Sequence, residues 1–133
     1  MCKGGVFMEL NHDCVRTLLL EIESNKQLGE PLTEYNFKDN VVFEKYDFET
    51  VMYTLLKLKE AEYIKIQLRW ESGRVIGYLI NDITWSGHEF LDNIRDNETW
   101  SKVKDVASKT SSMSVTLMSK LAIQYLSQKF NLS

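Results

Sequence analysis

The sequence predicts a mainly helical α+β protein, organised as a winged helix-turn-helix with a two-stranded wing and additional C-terminal helices. Three observations lead to this prediction. Apolar residues recur at helical spacing through the first sixty residues. The stretch IKIQLRWESGRVIGYLI then alternates around a Ser-Gly pair, as a β-hairpin does. Helical spacing returns after it, and a hairpin that follows a third helix is the order of a winged helix.

Composition is that of a folded globular chain. The 133 residues fit one core, and 44% are hydrophobic while 26% are charged. No apolar run approaches the roughly 20 residues that span a bilayer, and the first residues lack the features of a secretory signal. Cys2 and Cys14 are too few for a disulfide framework. We therefore expect a cytoplasmic protein with no membrane partner.

Charge is unevenly distributed along the chain. Residues 1–100 carry 11 Lys and Arg against 18 Asp and Glu, whereas residues 101–133 carry five Lys against Asp105 alone. An acidic body weakens a nucleic-acid hypothesis, because phosphate neutralisation supplies most non-specific affinity. A local basic face on the folded chain remains open.

The chain is predicted to divide into a flexible extension over 1–7, a winged-helix-like domain over 8–97 and C-terminal helices over 98–133. Asn11 is a suitable N-cap for the first helix, which should end between Asn25 and Gly29. Residues 29–46 show no dominant period, and we expect a short helix followed by a strand at 41–43. Asp47 should cap the third helix.

The hairpin register follows from its turn. If Ser72 and Gly73 are the central residues, opposite positions can be assigned in order. The predicted pairs are Glu71 with Arg74, Trp70 with Val75, Leu68 with Gly77, and Ile66 with Leu79. The last three pairs should share the buried face. Lys65, Arg69 and Tyr78 should then point the other way.

Two helix starts are predicted after the hairpin. Ser86 and Glu89 have the spacing of a capping box, and Asn97 or Thr99 can cap the next helix. Trp85 and Trp100 are expected to pack where the wing meets the C-terminal helices. A narrow apolar stripe near the C terminus predicts a helix that either folds back or forms a homodimer.

Double-stranded DNA is one candidate partner. In a winged helix the exposed face of the third helix and the wing contact DNA, through hydroxyl groups and cations. The residues predicted for this role are Thr50, Tyr53, Thr54, Lys57, Lys65, Arg69 and Arg74. The third helix has no Arg and several Glu neighbours, so a packing role or a protein partner is equally consistent with it.

No catalytic residues, metal site or cofactor are predicted, and the chain is not expected to be an enzyme. His88-Glu89 begins like a zinc-protease motif, but Asp92 stands where the second histidine is required. A metal site from His12, Cys14 and His88 has no supporting spacing. His88 is left without an assigned role.

The stretches LNHDCVRTLL, EAEYI and ITWSGHEFLDNIR, followed by Trp100 and Lys104, resemble a family of small proteins from Firmicutes and their phages. That family is a domain of unknown function, and the resemblance covers about Met8 to Leu126. It implies a phage or prophage setting and a winged-helix-like fold, but no activity and no functional residues. The chain departs from related winged helices at Glu62, where glycine is common.

Together these observations predict a non-enzymatic, phage-associated winged-helix protein that regulates through DNA binding. The alternative is a protein-interaction module that binds a host regulatory or defence protein. The acidic body is the feature that favours this alternative.

Overall fold

The structure, a computed structural model, describes residues 9–107 and 114–130. The chain divides into two compact units, Met1–Gly87 and His88–Ser133. The predicted mainly helical α+β class is confirmed. The predicted boundary at residue 97 stays a prediction, and the extension over 1–7 lies outside the described residues. Within those residues, no helix is long and apolar enough to cross a membrane.

From residue 9 onward, where the structure describes it, the first unit contains four complete helices and three strands. In chain order they are α1 (His12–Asn25), β1 (Leu32–Thr33), α2 (Glu34–Phe37), α3 (Val42–Lys45), α4 (Phe48–Glu60), β2 (Ile64–Glu71) and β3 (Arg74–Ile83). The strands form an antiparallel sheet in the order β1-β3-β2. The sheet therefore has one strand more than the predicted two-stranded wing.

Helices α1 and α4 begin where the sequence predicts. The Asn11 side chain accepts from the Cys14 N–H at 3.0 Å, and the Asp47 side chain accepts from the Thr50 N–H at 2.8 Å. Each cap satisfies a backbone donor that the first helical turn leaves unpaired. The two helices pack against each other through fully buried side chains. The largest of these are Leu18, Leu19, Ile22 and Leu55.

The segment between α1 and α4 differs from its prediction. The strand lies before the short helix, at Leu32–Thr33, and 42–45 is helical rather than extended. Three side chains explain the difference. Thr33 and Asn36 form a reciprocal capping box that starts α2, and the Asn40 carboxamide accepts from the Val42 N–H at 2.9 Å to start α3. These local hydrogen bonds outweigh the β propensity of Val41, Val42 and Phe43.

The hairpin turn is confirmed, but its register is correct only near the turn. Ser72 and Gly73 both have positive φ, as a type I′ turn requires, and Glu71 pairs with Arg74. Two bulges in β3, at Ile76 and Asn81, then each shift the pairing by one residue. Leu68 therefore pairs with Tyr78 rather than Gly77, and Ile66 with Ile80 rather than Leu79.

These shifts reverse the orientation that was predicted for Tyr78. Tyr78 is buried, not outward, and burial is the main reason that the pKa of its hydroxyl is raised, with the nearby Glu34 carboxylate adding to the effect. Trp70 keeps its predicted pairing with Val75, but it is 52% exposed, so its predicted burial is wrong. A bulge cannot be read from alternation, because it inserts a residue without changing the local apolar pattern.

Helix α5 (Trp85–Ile94) starts from Thr84 rather than from the predicted Ser86 cap. The Thr84 hydroxyl accepts from the Gly87 N–H at 3.0 Å and donates to the Glu62 carbonyl at 2.6 Å. The Thr84 N–H also donates to the Tyr63 carbonyl at 3.0 Å. Threonine is thus the N-cap, and it fastens the start of α5 to the turn between α4 and β2.

The second unit contains the rest of α5, α6 (Asn97–Ala107) and α7 (Val115–Lys129). Asp96 caps α6 by accepting from the Thr99 N–H at 2.8 Å, so neither predicted residue is the cap. Helices α6 and α7 pack together. Trp100 is buried, whereas Trp85 is 80% exposed, so the packing predicted for Trp85 is wrong. Ser114 caps α7 by accepting from the Leu117 N–H at 3.0 Å.

Candidate interaction surface

A groove lies in the first unit between α4 and the β2–β3 hairpin, with a volume of about 280 Å³. We call it the α4–hairpin groove. It is lined mainly by apolar and aromatic side chains from both elements. Helix α4 contributes Phe48, Glu49, Met52, Tyr53 and Leu56, and the hairpin contributes Trp70, Gly73, Arg74 and Val75. Since large apolar side chains are usually buried, an open groove lined by them is the candidate interaction surface of the first unit.

Two aromatic side chains are held at the groove by packing. The ring of Phe48 stacks on that of Phe43 at 6.3 Å between centroids, and Phe43 meets the buried Phe37 edge-on at 6.0 Å. Phe48 is nevertheless 48% exposed. Trp70 stands at the first bulge of the hairpin. Both rings therefore present apolar area from positions that the core and the sheet fix.

The rim of the groove carries opposing charges. The Arg74 guanidinium is 3.9 Å from the Glu49 carboxylate, and Arg74 also pairs with Glu71 across the hairpin. Arg74 is thus the cation that lines the groove, and Glu49 is its carboxylate partner. Because Glu49 and Arg74 are both well exposed, the ion pair adds little stability. A charged ligand can therefore replace the Glu49–Arg74 ion pair at a small cost in free energy.

The predicted DNA-contacting residues on α4 separate into two groups. Tyr53 lines the groove, and Thr50 is half-buried. Thr54 is 1% exposed, so its predicted place on the exposed face is wrong. Its hydroxyl donates to the Thr50 carbonyl at 2.8 Å. Thr54 faces α1, where burial raises the pKa of the Cys14 thiol and the Thr54 side chain, hydrogen-bonded to that thiol, opposes the effect.

Lys57 is directed along α4. Its ammonium group donates to Glu60 at 3.1 Å and lies 5.3 Å from the centre of the Tyr53 ring. The hydrogen bond to Glu60 is the largest cause that raises the pKa of Lys57. This lysine therefore has a carboxylate and an aromatic ring as neighbours before any ligand arrives.

The predicted hairpin cations do not form one cluster. Arg69 donates to the Glu34 carboxylate of α2 at 3.0 Å, and the same carboxylate accepts from the Tyr78 N–H at 3.1 Å. A Cβ at Gly77 would collide with both side chains of this ion pair, so glycine makes room for it. Arg69 is thus held at α2, whereas Arg74 lies at the groove. Lys65 is exposed on β2, opposite Asp82.

Two exposed groove residues were missed because the sequence patterns placed them in the core. Phe48 belongs to the apolar stripe of α4, and Trp70 belongs to the predicted inner face of the hairpin. Apolar periodicity predicts which face of an element is apolar, but it does not predict how far the core covers that face. The folded structure shows that the core leaves the side chains of Phe48 and Trp70 about half exposed.

Comparison with known proteins identifies the family. Residues 9–114 match the model of a protein family described as "Hypothetical protein (DUF2513)". The chain belongs to this family. It is also similar to an uncharacterized protein of Haemophilus influenzae (strain ATCC 51907 / DSM 11121 / KW20 / Rd), with 30% identity over 122 residues that cover 91% of this chain and 98% of the relative. No solved structure matches. The predicted membership in a family of unknown function is confirmed.

The DUF2513 match contains the whole α4–hairpin groove as well as Thr84 and Gly87, while α7 lies beyond it. The residues that were considered for a metal do not assemble. Within the described ranges, no three His, Cys, Asp or Glu side chains are grouped so that they could hold a metal ion. His12 and Cys14 lie on α1, and His88 lies on α5 in the second unit. Burial lowers the pKa of His12, and the neighbouring Asp13 opposes this shift.

Proposed function

We propose that this DUF2513 protein is a non-enzymatic, winged-helix-type interaction module that binds a protein partner through the α4–hairpin groove. The groove itself is the observation that carries the proposal. We also propose a cytoplasmic location, and the phage or prophage setting that the family resemblance implies. The partner would then be a host regulatory or defence protein.

The winged-helix part is supported by the order of the elements. A helix, a short strand, two short helices, a longer helix and a hairpin follow one another in the first unit. The short strand joins the hairpin at the edge of one sheet. In winged helices this arrangement leaves the third main helix and the hairpin side by side on one face. The groove lies between the corresponding elements of this chain.

A protein partner is favoured over DNA by the chemistry of the groove. Protein–DNA interfaces are strongly positive and polar, whereas the centres of protein–protein interfaces are enriched in Tyr, Trp, Phe, Met and Arg. The groove contains all five residue types. Moreover, Lys57, Arg69 and Arg74 each already have a carboxylate neighbour. To bind these cations, DNA phosphates would have to displace the neighbouring carboxylates, which carry the same negative charge.

The test compares the same substitution at two exposed tryptophans, one that lines the groove and one outside it. Trp70→Glu places a charge in the groove, and Trp85→Glu places the same charge at the start of α5, outside it. Tagged wild-type protein and both variants are used to capture partners from host cells, and each captured protein is then purified and titrated. We expect direct binding that Trp70→Glu abolishes and Trp85→Glu preserves. Binding that survives Trp70→Glu would contradict the proposal.

DNA binding by a winged helix is the second candidate, because the order of the elements is shared with DNA-binding proteins. Its predicted contacts are Thr50, Tyr53, Thr54, Lys57, Lys65, Arg69 and Arg74. It requires salt-dependent binding to duplexes that falls when Arg69 and Arg74 become Ala. A low-salt shift assay with a mixed-sequence duplex library tests it. Such binding, together with loss in the double variant, would replace the protein-partner proposal.

A homodimer through the C-terminal helix also stays a prediction. Ile123 on α7 and Phe130 just after it are 48% and 61% exposed. Sedimentation equilibrium of the wild type and of Ile123→Glu tests whether this apolar area joins two copies. Concentration-dependent dimers that the variant loses would support the homodimer, and a monomer at all concentrations would exclude it.

A further inference from the structure

We propose that the partner segment is basic and places one large apolar side chain, aromatic or aliphatic, into the α4–hairpin groove. This inference rests on the proposed function, because it specifies the chemistry of the protein that occupies the same groove. Three properties of the first unit lead to it: the size of the groove, the charge around it, and the fixed position of its aromatic rings.

The size of the groove selects a side chain rather than a cofactor. Its volume of about 280 Å³ lies just below the roughly 300–1,000 Å³ typical of small-molecule pockets. Its walls are formed by Met52, Leu56 and Val75, with aromatic rings at the edges. Such a space suits one or two apolar side chains that extend from a backbone lying across the opening. The polar side chains of the lining, Glu49, Tyr53 and Arg74, can pair with groups that flank such an apolar anchor.

Charge complementarity selects a cationic segment. From Glu9 to Gly87 the chain carries nine Lys and Arg against fourteen Asp and Glu. Around the groove, Glu49 lies 3.9 Å from Arg74, Glu71 is exposed at the hairpin position opposite Arg74, and Glu60 accepts from Lys57. A segment with Lys or Arg beside its apolar anchor can pair with these exposed carboxylates. An acidic segment would be repelled by the same groups.

The fixed rings favour anchoring by a single side chain. Phe48 is held by stacking on Phe43, and Trp70 by its place in β2. Little conformational entropy is therefore lost when a ligand packs against them. Binding energy in such surfaces concentrates in a few buried aromatic contacts that charged residues surround. Loss of the partner's anchor should thus weaken binding more than loss of any one flanking charge.

Four synthetic peptides separate these requirements. Each is a nine-residue, end-blocked, fluorescently labelled peptide with a central Phe or Ala between two pairs of Lys or two pairs of Glu. Fluorescence anisotropy at low salt gives the affinity for the full-length protein. We expect the Lys–Phe peptide to bind at least about tenfold more tightly than the Lys–Ala peptide, and both Glu peptides to bind more weakly still. Added salt should weaken the Lys–Phe complex.

Protein variants then locate the binding. Trp70→Glu should abolish binding of the Lys–Phe peptide, while Trp85→Glu should leave it unchanged. The double charge reversal Glu49→Lys and Glu71→Lys should reverse the preference, so that the Glu–Phe peptide now binds better than the Lys–Phe peptide. Circular dichroism of each variant confirms that it folds. A preference unaffected by the reversal would overturn the proposed role of the rim charges.

Failure of this inference can be told from failure of the proposed function. If a captured protein binds in a Trp70-dependent manner but its segment is acidic, or no Lys–Phe peptide binds, only the inference is wrong. If neither a partner nor a peptide depends on Trp70, the proposed function is wrong as well. Self-association that Trp70→Glu abolishes would show that a second copy occupies the groove, which also overturns the inference.

Discussion

The contacts around Thr84 and Gly87 show why single residues of the ITWSG stretch matter. Helix α4 ends with the Tyr63 N–H donating to the Leu58 carbonyl at 2.9 Å and the Glu62 N–H donating to the Lys59 carbonyl at 3.0 Å. This is a Schellman motif, and its left-handed position is Glu62, with a φ of 63°. Thr84 and Gly87 then dock on the carbonyl groups of Glu62 and Tyr63. The sequence marked this stretch as distinctive but not for this reason.

Gly87 is required by a close approach. A Cβ at this position would collide with the Tyr63 carbonyl oxygen, and backbone cannot move aside as a flexible side chain can. Gly87→Ala should lower the free energy of unfolding by about 2–3 kcal/mol, as overpacking a tight site does. Gly73→Ala is the matched control, because open space surrounds it and only its positive φ of 79° is strained. Equal urea midpoints for the two variants would contradict the close approach.

Glu62 carries a strained backbone that glycine would relieve. A non-glycine residue in the left-handed region costs about 1–2 kcal/mol, and glycine loses roughly 0.5–1 kcal/mol of chain entropy in exchange. Glu62→Gly should therefore raise stability by about 0.5–1 kcal/mol in urea unfolding. Lys59→Gly, within α4, should instead lower it by about 1 kcal/mol. A destabilised Glu62→Gly protein would mean that the Glu62 side chain makes a compensating contact.

At the scale of elements, helices were easier to predict than strands. The caps Asn11 and Asp47 are local signals, and both helices begin where those residues indicate. The two-residue strand β1 exists because it pairs with β3, which is distant in sequence, so no local pattern announces it. The bulges at Ile76 and Asn81 likewise depend on pairing. The groove was missed for a related reason, because Trp70 keeps its predicted partner Val75 and its exposure depends on how far the core extends along the hairpin.

The sheet also explains why Arg69 is a poor candidate for ligand binding. Glu34 serves both Arg69 and the Tyr78 N–H, so it joins α2 to the hairpin. Glu34→Ala should lower stability by about 2 kcal/mol, because the part-buried Tyr78 N–H loses its acceptor. Glu34→Gln keeps an acceptor oxygen and should cost less than about 1 kcal/mol. Thermal unfolding of both variants checks the order, and equal losses would mean that only the ion pair matters.

For the whole molecule, sequence reasoning gave the class, the family and the acidic balance but not the surface. Composition fixes the total number of apolar residues, whereas folding decides which of them stay exposed. Of the seven residues predicted for DNA, Thr54 is buried, three cations have carboxylate neighbours, and only Tyr53 and Arg74 line the groove. The apolar area left between α4 and the hairpin became visible only in the folded chain.

The most direct test of the central claim is photo-crosslinking from the groove in living cells. A benzophenone amino acid replaces Tyr53, which lines the groove, or Lys59, which is exposed elsewhere on α4. Irradiated complexes are then analysed for attached protein and attached nucleic acid. A specific protein adduct from position 53 that is absent from position 59 is the predicted result. Nucleic-acid adducts from position 53, or the same products from both positions, would contradict the claim that this groove binds a protein.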